Sequence, residues 1–171
     1  MEVAESSLET GESLRRLERL YVRHAGPAIR LAYLLCGDRH LAEDLVQDAF
    51  VRLAGRFADL RDADAFQAYL RRTVINQAKM HGRRRNLERR RLEELSTRPA
   101  PHATDTDSVA DRATLRAALL ALPYRQRAAI VLRYYADLSE AQAAEALGCG
   151  PAALRSLVAR GMQTLREKVS R

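Results

Sequence analysis

The sequence predicts an all-α protein of two small helical domains joined by a flexible linker. The second is a four-helix domain with a helix-turn-helix. Three observations carry this. Apolar residues recur at three- and four-residue spacing over most of the 171 residues. No segment alternates polar and apolar residues as a half-buried strand would. Between about residues 92 and 111 the apolar period stops, and Ser96, Thr97, Pro99, Pro101, Thr104, Thr106 and Ser108 follow one another in a stretch that reads as a linker.

Residues 1–12 carry Glu2, Glu5, Glu9 and Glu12 and read as a disordered acidic tail. From Ser13 a helical pattern begins, with Leu14, Leu17 and Tyr21, then Ala28, Leu31 and Leu35. Pro27 predicts a kink or a helix start, and Gly37-Asp38 an end. Over 41–54, Leu41, Leu45, Ala49 and Leu53 share one face, with Val46 and Phe50 beside them. Glu43, Asp44, Gln47 and Asp48 share the other. Gly55 and a polar loop over 58–62 lead to a helix over about 64–85, with Phe66, Tyr69, Leu70, Thr73 and Val74 facing inward.

Beyond the linker, Leu115, Leu119 and Leu122 predict a helix that stops at Pro123, and 126–135 a second. Ser139 with Gln142 three residues on is a capping-box pattern. Gly148-Cys149-Gly150 predicts a tight turn, and Pro151 suits the first position of a last helix running to about Val169.

The charge is unevenly placed. Between residues 71 and 91 nine basic residues stand against one acidic residue, Glu88, so the formal net charge of +7 sits in this one stretch. Such a run repels itself unless a polyanion neutralises it. Arg72, Asn76, Lys79 and Arg83 are spaced four, three and four apart and share a helix face, which Arg84 and the following arginines extend. Arginine and lysine anchor phosphates, whereas an asparagine amide can pair with a base edge. A solvated face or a basic helix lying on a membrane are the other readings.

The second constellation is residues 139–166. A short helix, a glycine turn and a second helix make a corner that projects the second helix into a major groove. Ala143, Ala144, Leu147, Leu154, Val158 and Leu165 pack it, leaving Arg155, Ser156 and Arg160 to face DNA. The same spacing also suits an ordinary helical hairpin of a bundle.

Other chemistries find little support. Aromatics make up 5% of the chain and Trp is absent, against an RNA binder that stacks bases on a sheet. Cys36 and Cys149 are far apart and predict small packing residues, not a disulfide framework. His24, His40, His81 and His102 have no ligand spacing, and Asp105 and Asp107 fall in the linker. Tyr134 and Tyr135 read as core residues. No cofactor, metal or small-molecule substrate is expected, and no catalytic residue. No signal peptide and no stretch of about 18 apolar residues is present, so a cytoplasmic location is expected.

The stretches LAYLLCGDRHLAEDLVQDAFVRL (31–53), AYLRRTVINQAKMHGRRR (68–85) and ALPYRQRAAIVLRYYADLSEAQAAEALGCG (121–150), in this order with a polar linker between, resemble the extracytoplasmic-function group of bacterial sigma factors, in particular a SigE-like subgroup frequent in actinobacteria. The resemblance implies that residues 13–91 dock on core RNA polymerase and recognise and open the minus-ten element. It implies that residues 112–171 read the minus-thirty-five element. Asp44, Gln47 and Asp48 match the surface that docks on the polymerase clamp, with the flap as the other contact. The loop 58–63, with Asp59, Arg61 and Asp62, matches the one that captures a flipped base of the non-template strand; unstacking it costs a few kcal/mol, which contacts to the base must offset. Arg72 and Asn76 match the minus-ten-reading helix, and Arg155, Ser156 and Arg160 the minus-thirty-five-reading helix. Promoter DNA and core polymerase are the implied partners, and an anti-sigma factor a further one. Gly150, Ala153 and Leu157 replace a Ser, a Thr and a basic residue frequent in the group, which predicts weaker or altered minus-thirty-five readout. Met80 replaces an acidic residue.

Two other functions suit parts of this pattern. A conventional helix-turn-helix repressor would bind its operator as a symmetric dimer, but no dimerisation helix is evident. A recombinase or nuclease would need clustered catalytic groups.

Overall fold

The computed structural model describes residues 2–54, 63–93 and 110–169. Among these the regular structure is helical: α1 (Glu2–Cys36), α2 (Arg39–Ala54), α3 (Ala63–Glu93), α4 (Ala110–Leu120), α5 (Tyr124–Ile130) with a π-helical turn Val131–Tyr135, α6 (Glu140–Leu147) and α7 (Pro151–Val169).

Two expectations are corrected at the boundaries. The acidic segment expected as a disordered tail is helical from Glu2 onward, as the first turns of α1. Glu and Leu are good helix formers, no proline interrupts before Pro27, and carboxylates near a helix N-terminus oppose the positive end of its dipole. The expected linker is shorter at both ends, because α3 runs to Glu93 and α4 begins at Ala110. The arginine-rich run through Arg91 is thus helical. Residues 94–109 lie outside the described residues. Pro27 lies inside α1, exposed, where the backbone acceptor it leaves unpaired can face water.

The junction between α1 and α2 is tight. Gly37 has φ +78°, a conformation cheap only for glycine, and its N–H donates to the Tyr33 carbonyl (2.8 Å). Asp38 then caps α2, its Oδ1 accepting from the Leu41 N–H (3.1 Å). The first half closes on Ala25, Ala28, Ala32, Ala42, Val46, Ala49, Phe50, Leu53, Phe66, Leu70 and Val74. Its alanines let the helix axes approach, and Phe50 and Phe66 fill the centre with ring centroids 5.6 Å apart. Tyr69, expected inside, is 49% exposed.

In the second half, Gly161 of α7 is buried against α5, where an added Cβ would lie 2.8 Å from Ile130 Cδ1. The π-helical turn changes the fate of the two tyrosines. A wider turn shifts the register of the following side chains, and Tyr134 and Tyr135 emerge 66% and 45% exposed instead of in the core. The Leu138 N–H reaches back to the Leu132 carbonyl (3.1 Å), and Asp137 takes φ 49° to close the turn.

The halves are packed together. One buried cluster joins Leu31, Leu35, Leu45, Ile75 and Ala78 to Leu119, Leu122, Ile130, Leu132 and Leu138. Tyr124 reaches across to donate its hydroxyl to the Ile75 carbonyl (2.7 Å), and burial raises its pKa well above that of an ordinary tyrosine. Leu120 sits over Gly37, where an added Cβ would lie 2.7 Å from Leu120 Cδ1. The Arg116 guanidinium lies 5.2 Å from the Tyr33 ring centroid, and Arg30 Nε donates to the Tyr135 hydroxyl (3.1 Å).

Candidate nucleic-acid interface

The basic face is built by α3. Val74, Ile75 and Ala78 hold the helix in place, and their burial turns the neighbouring positions outward. Arg72, Asn76, Arg83 and Arg84 are exposed, and Lys79 is half-buried with its stem beside the packed face. Arg71 is also half-buried, and desolvation lowers its pKa. The four residues 72, 76, 79 and 83, spaced four, three and four apart, thus form one stripe, with the asparagine among cations. Arg84 and Arg85 line a shallow cleft with Asp38, Leu41 and His81, where α3 passes the start of α2. Asp59, Arg61 and Asp62 lie outside the described residues.

On α2 the apolar face (Leu45, Val46, Ala49, Phe50, Leu53) is buried, and Asp44, Gln47 and Asp48 are all exposed on the other side. The acidic surface is therefore on a different helix from the basic stripe, although Arg39, paired with Glu43, and Arg52 are also exposed at the two ends of α2.

The corner of α6 and α7 is built by local chemistry. The Ser139 side chain accepts from the Gln142 N–H (3.2 Å), and the Gln142 side chain accepts from the Ser139 N–H (3.0 Å), which makes the capping box. At the other end Gly148 adopts the left-handed conformation (φ 60°), while the Cys149 N–H donates to the Ala144 carbonyl (2.9 Å). Gly150 then starts α7, its carbonyl accepting from the Leu154 N–H (3.0 Å). Ala143, Ala144 and Leu154 are buried in the corner.

That leaves Arg155, Ser156 and Arg160 exposed on one side of α7. They are not equally free. Arg160 Nε donates to the Ser156 carbonyl one turn back (3.2 Å). Arg155 donates through Nη1 to Glu140 Oε1 on α6, an ion pair that crosses the corner. Glu140 went unnoticed in the sequence. Its only signal there is its place, one residue after the Ser139 cap, at the start of a helix whose far end is the Gly148 turn that folds α7 back on α6.

Among the described residues no group of His, Cys, Asp and Glu could hold a metal ion. None of their helices is long and apolar enough to cross a membrane.

Comparison with known proteins matches both halves. The model of sigma-70 region 2 covers residues 20–88, and that of sigma-70 region 4 covers residues 112–165. The RNA polymerase sigma-E factor of Streptomyces coelicolor is 37% identical over 150 residues, which span 87% of this chain and 84% of that protein. The ECF RNA polymerase sigma factor SigE of Mycolicibacterium smegmatis is 35% identical over 162 residues, 90% of this chain and 62% of its own length. In fold, the chain is similar to the sigma factor RpoE in a co-crystal structure with the anti-sigma factor NepR from Bartonella quintana. The TM-score is 0.72 at 23% identity, over 91% of this chain and 98% of that one. The chain belongs to the sigma-70 family, as an RNA polymerase sigma factor of the extracytoplasmic-function kind.

Proposed function

We propose that three exposed surfaces divide the work: Asp44, Gln47 and Asp48 of α2 dock on the clamp of core polymerase, the α3 stripe reads and holds the minus-ten region, and α7 reads the minus-thirty-five element. The chain is a sigma factor, which binds core polymerase and directs promoter recognition and transcription initiation. Sigma factors are non-catalytic, and on this reading the polymerase does all the chemistry. The observation that carries the division is the placement of charge: the exposed carboxylates of Asp44 and Asp48 in the middle of α2, and cations with one amide along α3. The former suits a protein surface, and the latter a phosphate backbone with a base edge. Asp59, Arg61 and Asp62, on the segment before α3, belong in this reading to capture of an unstacked base.

The compact arrangement is not the one that engages a promoter. Elements at minus ten and minus thirty-five are centred about 25 base pairs apart, about 85 Å of duplex. Here the two readers share one core. They separate at the α1/α3–α4/α5 contact when both engage, and the 16 residues 94–109 bridge at most about 55 Å when fully extended. The lengths of the domains supply the remainder. The flap of the polymerase would then hold the second half away from the first. By likeness to the sigma factor found in complex with an anti-sigma factor, a protein partner would hold this chain inactive. The cytoplasm, where core polymerase and the chromosome are, is the proposed location.

The test is transcription in vitro with core polymerase and the chain on a genomic promoter library. Starts that share two upstream elements are expected. A chain that neither binds core polymerase nor changes the start sites overturns the reading.

A further inference from the structure

Glu140 is the first residue of α6, immediately after the Ser139 cap, so its carboxylate sits at the positive end of that helix. From there it accepts Nη1 of Arg155 across the helix-turn-helix corner. The side chains are 37% and 64% exposed. An ion pair this open to water adds little to folding. It does act on the guanidinium itself. An arginine reads a base through a planar fork of N–H groups, which must be presented in one orientation. A free, exposed arginine samples many rotamers and meets any phosphate equally well. Held through one nitrogen by a carboxylate, it keeps Nε and Nη2 for a bidentate contact. Its charge is also partly cancelled toward phosphates.

We propose that Glu140 is a positioning residue that sets specificity: it fixes Arg155 for reading one base pair and lowers the affinity of α7 for DNA of any other sequence. This rests on the reading of α7 as the minus-thirty-five reader. Glu145, exposed further along the same helix, supplies the control, because it carries the same charge without an ion pair to Arg155.

The experiment uses the full chain bound to core polymerase. The probe is a set of duplexes randomised upstream of a start site mapped with the wild-type chain. The wild type should enrich one base pair that Arg155→Ala no longer selects. Glu140→Gln should weaken the preference at that same position about fivefold or more. It should also steepen the salt dependence of binding by about one unit of slope, as Arg155 turns to a phosphate. Glu140→Asp keeps the charge but not the reach, and should lose the preference and steepen the slope as Glu140→Gln does. Glu145→Gln should match the wild type. In the Arg155→Ala background, Glu140→Gln should change neither quantity.

The proposal falls if Glu140→Gln keeps the wild-type preference and slope. It falls equally if the effect persists without Arg155, which would make Glu140 a general repulsive charge, or if Arg155→Ala leaves the enriched sequence intact. A wild-type holoenzyme that enriches no upstream sequence overturns the reading of α7 as well, so the two failures are told apart.

Discussion

Two kinds of side chain make up the α3 stripe, and they should fail differently when removed. Asn76 is exposed and flanked one turn away on either side by Arg72 and Lys79. Its amide can donate and accept at once, which suits a base edge and not a phosphate. Asn76→Ala is expected to cost about 1–3 kcal/mol at one promoter position and to relax selection there, measured by holoenzyme binding to a set of single-base promoter variants. A loss of equal size on every sequence would show that it does not read a base. Arg84 is exposed among neighbouring arginines. Arg84→Ala is expected to weaken binding on all sequences and to lower the salt slope by about 1. An unchanged slope would remove it from the phosphate contacts.

At the scale of the element, the helix-turn-helix corner depends on its cap and its glycine. Ser139 satisfies an N–H at the start of α6 and receives Gln142 in return. Ser139→Ala should destabilise the second half by about 1 kcal/mol in urea unfolding, with little change in the denaturant dependence. The effect on promoter reading should exceed that on core binding, because the cap also fixes where Glu140, and through it Arg155, is presented. A variant as stable as wild type would mean the box is not maintained in solution. Gly148 has open space where a Cβ would be added, so its constraint is its φ of 60° and not its neighbours. Gly37 is constrained by both its φ and Leu120.

For the whole molecule, the proposed separation of the halves is opposed by the contact between them. Tyr124 is central to it, since its hydroxyl crosses to Ile75 and its ring lies beside Arg127 with Cys36 nearby. Tyr124→Phe removes one hydrogen bond, worth about 1 kcal/mol. It should shift the population toward separated halves, seen as a larger radius of gyration in solution scattering. The pH dependence follows from the same group. Burial raises the Tyr124 pKa, so in the compact form it keeps its proton where a tyrosine exposed by opening would lose it. The stabilisation is therefore complete below the ordinary tyrosine value of about 10 and is lost as pH rises above it. Cys36, whose thiol burial also pushes up, acts in the same direction. Opening above pH of about 10 should be blunted in Tyr124→Phe. Identical alkaline opening in both proteins would assign it to other groups.

What the sequence determined by itself was mostly local. Helix periodicity, the Ser139–Gln142 box, the turn at 148–150 and the grouping of Arg72, Asn76, Lys79 and Arg83 on one face all follow from spacings of three and four and from backbone preferences that neighbours supply. The outward Asp44, Gln47 and Asp48 and the outward Arg155, Ser156 and Arg160 were legible for the same reason. Only the tertiary structure decided what depends on residues far apart. Leu31, Ile75 and Leu132 share a core because three helices meet there, which no single helical period can reveal. Tyr134 and Tyr135 face outward because a π-helical turn shifts their register. Glu140 meets Arg155 because the Gly148 turn brings two helix faces within reach of one ion pair, over a separation of 15 residues. Spacing specifies which side of a helix a residue occupies, whereas the partner it finds there is set by how the helices pack.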